Sequence, residues 1–193
     1  MMIRTGAAML AAAVLLPGPV LGQDGSELLS SSRQAVTELT QQLAVQLKAE
    51  LAKGGPEAAI GVCRDVAPEI AGRLSRARGW RVARVSLKTR NPLLGTPDAW
   101  EQAVLADFDW RAASGEKPET LEYAEVVQEP AGRYYRYMMA IPVQPLCLAC
   151  HGNGEAIAPG VAAGLRADYP HDRATGYAVG QIRGAVTIKQ PLP

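Results

Sequence analysis

Residues 121–151, LEYAEVVQEPAGRYYRYMMAIPVQPLCLACH, decide the fold of this chain. Two runs rich in aromatic and β-branched residues, 121–128 and 133–143, flank a turn at 129–132 that contains Pro and Gly. This order is typical of a β-hairpin. In the second run every other side chain from Tyr135 to Val143 is large and apolar. One face of that strand is therefore predicted to be buried.

The same stretch ends in the pentapeptide Cys147-Leu148-Ala149-Cys150-His151. Two cysteines separated by two residues and followed at once by a histidine form the attachment motif of c-type haem. Each thiol can form a thioether with one haem vinyl group, and the imidazole of His151 can bind the iron as the proximal ligand. The motif therefore predicts one covalently bound haem c, held by Cys147 and Cys150.

Two other interpretations of the motif are weaker. A zinc site needs a second pair of ligands at short spacing, and the remaining candidates, Cys63 and His171, are far apart in the sequence. A thioredoxin-like redox pair or a plain disulfide would not need a histidine directly behind the second cysteine.

Upstream of the hairpin, apolar residues recur at helical spacing. A long first helix, capped by Ser26 or Asp24, is predicted to stop at Gly54-Gly55. A second helix is predicted from about Pro56 to near Gly79.

A strand at 80–87 follows, and Thr96 is predicted to cap a third helix with Pro97 at its first position. A last strand is predicted at 185–189. Helices followed by antiparallel strands give an α+β fold class.

The N-terminus indicates export. Residues 1–22 combine a charged start at Arg4, an apolar run at 7–16 and a Pro-Gly break, as in a signal peptide cleaved near Gly22. An uncleaved membrane anchor is the alternative, but the apolar run is too short to span a bilayer. Because haem attachment in bacteria takes place outside the cytoplasmic membrane, both features predict a periplasmic protein with no stable membrane insertion, formed by one domain over 23–193.

The charge balance argues against nucleic acid as a partner. The chain carries 20 Lys and Arg against 19 Asp and Glu, for a formal net charge of +1. No basic stripe or run of like charge is present in the sequence, although binding to nucleic acid or to a membrane surface depends on one.

A third cysteine, Cys63, needs an explanation in an oxidising compartment. It lies on the apolar stripe of the second helix, so one interpretation is a small buried hydrophobic residue. The other is a thiolate bound to iron on the face opposite His151. Pro68 removes a helical hydrogen bond from the turn containing Cys63, and it predicts a kink or a break there.

With these elements in place, the chain resembles a family of exported, single-haem c-type domains with a PAS-like fold and no defined function. The matching residues are Val62-Cys63-Arg64, Ala67-Pro68, Gly79-Trp80, 86–92, Pro97, Trp100-Glu101, Tyr137-Met138, 147–152, and 169–184 from Tyr169-Pro170 to Gly184.

The resemblance implies a PAS-like antiparallel sheet with N-terminal helices and a haem attachment loop. It also implies axial ligation by the motif histidine, His151, and by an upstream cysteine whose place Cys63 occupies. Met138, Met139 and His171 remain alternative ligands, as does an open or water-bound position.

Ligation by His and Cys predicts a low reduction potential, because an anionic thiolate stabilises ferric iron. The expected role is non-catalytic electron transfer with a redox partner protein; the alternative is a redox or gas sensor that binds CO or NO. A peroxidase would need distal acid–base residues, for which His171 is the remaining histidine. Lys88, Arg90 and Arg183 are candidate partners of the haem propionates, or ordinary surface charges.

Overall fold

Four antiparallel strands form the centre of the fold. The computed structural model describes residues 24–193, so the predicted signal peptide lies outside the described residues. The strands are β1 (Arg81–Val85), β2 (Glu122–Glu129), β3 (Gly132–Pro142) and β4 (Ile182–Pro191), and their order in the sheet is β1-β4-β3-β2. The predicted hairpin is confirmed, since β2 pairs with β3 and Glu129 lies opposite Gly132.

Strand β4 comes last in the sequence but lies inside the sheet. It pairs with β1 on one side and with β3 on the other. It is twice as long as predicted, and its register against β3 shifts between Ile141 and Pro142. Backbone hydrogen bonds continue beyond that point, from the Val143 N–H to the Gln181 carbonyl oxygen at 2.8 Å and from the Gly180 N–H to the Val143 carbonyl oxygen at 2.9 Å.

The N-terminal helical region begins, breaks and ends close to the predicted residues, but the second predicted helix is divided by a π-helical segment. Helix α1 (Gly25–Gly61) is capped by Asp24, whose carboxylate accepts a hydrogen bond from the Ser26 N–H at 3.3 Å. The helix is broken at Gly54 and Gly55, where Gly55 has a left-handed φ of 67°. A π-helical segment (Val62–Val66) connects it to α2 (Ala67–Arg78), which ends at the left-handed Gly79.

Helices cover both faces of the sheet. On one face α1 and α2 pack against the alternating side chains of β3 and β4, with Leu39, Tyr137 and Ile188 at the centre. On the other face α4 (Ala99–Ala113) packs Phe108 against Met138. The observed layers confirm the α+β prediction; the PAS-like classification stays a prediction.

The start of α4 differs from the prediction. The cap is Asp98 rather than Thr96: the Asp98 carboxylate accepts from the Glu101 N–H, and the Glu101 carboxylate accepts from the Asp98 N–H. Thr96 instead ends a short helix, α3 (Pro92–Gly95), by donating its N–H to the Pro92 carbonyl oxygen. The reciprocal pair satisfies two backbone donors, more than a threonine cap would.

The C-terminal third contains two further helices. The motif forms the one-turn helix α5 (Leu148–His151), and α6 (Pro159–Asp168) follows it before β4. Across residues 24–193, no helix combines the length and apolar character needed to cross a membrane.

Candidate functional site

A cavity of about 430 Å³ lies between the N-terminal helices, the end of the sheet and the attachment motif. Its lining includes all four residues that the sequence singled out, Cys63, Cys147, Cys150 and His151. Residues from three distant parts of the chain thus meet in one space of the size typical of small-molecule sites.

The motif presents both thiols to this cavity through local helix geometry. A single 3₁₀ turn (Pro145–Cys147) leads into α5, so Cys147 and Cys150 stand three residues apart on one helical face. All three cysteines of the chain are free thiols and half-buried. They are accessible to a ligand that enters the cavity.

The backbone fixes the ring of His151. Its Nδ1 lies 2.6 Å from the carbonyl oxygen of Ala174, and because a carbonyl only accepts, Nδ1 carries the proton. Burial, followed by the positive charges of Arg183 and Arg90, lowers the pKa of His151 to about 3. The ring is therefore neutral at physiological pH, and Nε2 keeps the lone pair that a metal requires.

Arg183 flanks this ring. Its Nε lies 3.2 Å from Nδ1 and 3.5 Å from Nε2 of His151, which places the guanidinium beside the imidazole. Gly184 brings this part of β4 close to β1, since a Cβ there would collide with the carbonyl oxygen of Val85.

Cys63 lies in the π-helical segment. The Ala67 N–H bonds to the carbonyl of Val62, five residues back, so the turn holds one extra residue. Pro68 follows in the first turn of α2 and has no N–H to offer the widened turn. The predicted kink is thus a π segment, a feature frequent at functional sites, and it presents the half-buried Cys63 to the cavity.

The alternative axial ligands lie elsewhere. Met138 is fully buried among residues of α4, on the other face of the sheet. Met139 packs at the edge of the α1–α2 core, and His171 is exposed. None of the three lines the cavity.

The cavity wall is apolar on its helical side. Residues of α1, of α6 and of the 3₁₀ turn before α5 supply it: Leu43, Leu47, Leu51, Ile60, Leu146 and Leu165. Such a wall suits the flat apolar face of a porphyrin. The described residues contain no cluster of three or more His, Cys, Asp or Glu side chains placed to hold a bare metal ion, the arrangement that the zinc alternative requires.

Sequence reasoning missed two features of the site. The first is Arg84 on β1, which lines the cavity. The feature of the sequence that could have indicated it is a charged residue between the Ala and Val residues of the strand. The second is a support beneath His151: Asp172 accepts from the Ala174 N–H at 2.7 Å and forms an ion pair with Arg90 at 3.1 Å. No local sequence pattern predicts this support, because the residues that form it are up to 84 positions apart in the sequence.

An α+β domain with two thiols and a histidine at the edge of an apolar cavity defines a class of haem-binding domains, and the residues present fit a haem. The chain belongs to the Tll0287-like family, whose pattern matches residues 23–191. It is similar to a solved structure described as the cyanobacterial heme-protein Tll0287, with a TM-score of 0.63 and 28% identity, covering 87% of this chain and 97% of that one. No curated protein matches the chain.

Proposed function

We propose that this protein is a periplasmic monohaem c-type cytochrome that transfers electrons to or from a redox partner protein. The observation that carries the proposal is the convergence of Cys147, Cys150, His151 and Cys63 on one apolar cavity. Membership of the Tll0287-like family, in which a cyanobacterial relative is a haem protein, supports it.

When bound, haem supplies a reversible one-electron couple at iron. The thiols of Cys147 and Cys150 would hold the group by thioether bonds to its two vinyl groups, with each thiol hydrogen passing to the neighbouring vinyl carbon. His151 provides Nε2 as one axial donor, held in orientation by Ala174.

Cys63 provides the second axial donor in this proposal. A thiolate carries a full negative charge and favours the ferric state over the ferrous state, so the reduction potential is lower than with a His/Met pair. Cys63 is the remaining thiol among the cavity residues.

The experiment is spectroscopic and uses protein made in a host that matures cytochromes c. We expect a red protein that keeps its colour through acid–acetone extraction, a low-spin ferric resonance typical of thiolate ligation, and a potential below that of His/Met cytochromes. A colourless preparation contradicts the proposal.

A redox or gas sensor is the second candidate function, and the π segment at Cys63 favours it. Cys63 would hold the haem iron through its thiolate, and a protonated Cys63 would be a weaker ligand, so the reduced protein would be able to bind CO or NO in its place. Ferrous protein that ignores CO supports the electron carrier. Ferrous protein that binds CO and then associates differently with another periplasmic protein supports the sensor.

A further inference from the structure

Two arginines in the cavity have no carboxylate partner within residues 24–193. Arg84 and Arg183 both line the space, and neither forms an ion pair there. The third cavity arginine, Arg90, is paired with Asp172. The remaining arginines of the described chain are either paired with a carboxylate or exposed.

The surroundings of Arg183 make the excess charge costly. Its Nη1 donates to the Ser86 hydroxyl at 2.9 Å and to the Lys88 carbonyl at 3.2 Å, both neutral acceptors. Arg84 and Arg90 line the same cavity as Arg183, so three guanidinium groups share this space. Arg183 is half-buried, and a half-buried cation among other cations is stabilised by an anion bound beside it.

We propose that Arg84 and Arg183 bind the two propionates of the haem. This inference rests on the proposed function. A guanidinium presents paired N–H groups that match a carboxylate, and two propionates balance the two unpaired positive charges. A porphyrin attached through its vinyl groups at Cys147 and Cys150 would carry its propionates on the opposite edge of the ring.

The other cations near the site are less suitable. Arg90 already donates to Asp172 and, at 2.5 Å, to the carbonyl oxygen of Cys150. Lys88 is exposed, with its Nζ 4.8 Å from the ring centroid of Tyr177. The three candidates from the sequence therefore reduce to Arg183, and Arg84 joins it.

The test compares Arg84→Gln and Arg183→Gln with Arg166→Gln, a control on the exposed side of α6. Each haem-loaded variant is examined by resonance Raman spectroscopy, in which the propionate bending bands report their hydrogen bonds. We expect these bands to shift in the first two variants and not in the control. We also expect a lower reduction potential in both, since loss of a nearby positive charge favours ferric iron.

If the wild-type protein is red but the propionate bands are unchanged in both Arg84→Gln and Arg183→Gln, this assignment is overturned. The proposed function then remains intact. A colourless wild-type protein overturns both. If Arg183→Gln does not mature, Arg183→Lys keeps the charge but loses the paired N–H groups, and its bands are expected to shift.

A crystal structure of the wild-type haem protein is the second measurement and needs no variant. Propionate oxygens within hydrogen-bond distance of Arg84 and Arg183 are expected. The proposal is contradicted if the propionates face solvent while Arg183 still donates to Ser86. It is also contradicted if the Cys63 thiolate is the only anion that balances the charge of the two arginines.

Discussion

His151 and Ala174 are joined by a 2.6 Å hydrogen bond from Nδ1–H to the backbone carbonyl. Asp172 accepts from the Ala174 N–H at 2.7 Å and pairs with Arg90, and Arg90 donates to the carbonyl oxygen of Cys150. The contacts form a closed circuit that begins and ends in the attachment motif. They fix the imidazole before any ligand binds, which reduces the ordering cost of binding.

The circuit predicts a large effect of Asp172→Ala on stability. Arg90 is 8% exposed, so removal of its partner leaves a buried charge unpaired and costs about 3–5 kcal/mol of unfolding free energy. Denaturant unfolding of the haem-free protein measures it. The matched control is Asp168→Ala, which breaks a more exposed ion pair with Arg64 and is expected to cost about 1 kcal/mol or less. Equal losses in the two variants contradict the circuit.

Replacement of Cys63 by alanine is expected to abolish thiolate ligation. The ferric protein should lose its low-spin thiolate signature in optical and paramagnetic resonance spectra, and its potential should rise because the negative ligand is gone. Val62→Ala is the control, since Val62 belongs to the same π segment but does not line the cavity. Low-spin features that persist unchanged in Cys63→Ala would remove this residue from the ligand set.

The two motif thiols are expected to differ from Cys63 in their effect on haem retention. In a Cys147→Ser, Cys150→Ser double variant no thioether can form, so acid–acetone should extract all the pigment. Cys63→Ser should keep its colour, because an axial ligand is not a covalent tether to the porphyrin. Pigment that resists extraction from the double variant would contradict covalent attachment at these positions.

The packing of α1 on the sheet predicts the cost of truncating its apolar stripe. Leu39 is 1% exposed in the core, and Leu39→Ala is expected to destabilise the protein by about 2–5 kcal/mol. Val45 lies on the same helix but is 64% exposed. Val45→Ala should change stability by no more than about 0.5 kcal/mol. Thermal or denaturant unfolding gives both values.

Stability is expected to fall in acid, partly through Glu122. The hydrogen bond from Arg33 lowers the pKa of Glu122 against the opposing effect of burial, and the hydroxyl of Tyr137 lowers it further. A lowered pKa in the folded state stabilises the fold above the unfolded pKa of about 4.3, and this stabilisation is lost as pH falls through the folded value.

Glu122→Gln tests this contribution. Its cost at pH 7 should be about 1 kcal/mol or less, because both partners are partly exposed, and it should shrink below about pH 4. A cost that stays constant between pH 7 and pH 3 would rule out the charge as its origin.

Periodic and local signals predicted most of the fold. The alternation after Tyr135 gave the hairpin, and Gly54-Gly55 and Gly79 marked the ends of helices, because each depends on neighbours within one element. The cap of α4 was misplaced, since Thr96 and Asp98 are both good caps and the choice depends on the Glu101 partner.

The site was predictable where its chemistry is local. The pentapeptide at 147–151 contains the spacing that attachment requires, so it could be found in the sequence alone. The contacts of Arg183 with Ser86 and of Asp172 with Arg90 join residues more than 80 positions apart. Such pairs form only when the chain has folded, and no periodic pattern in the sequence predicts them.

The position of β4 has a consequence for the order of assembly. Until β4 is in place, β1 and β3 have no partner between them, and the sheet cannot close. The motif at 147–151 emerges earlier than β4. Its two thiols are therefore exposed while the domain is still open, and closure by β4 brings Arg183 to the cavity that they line.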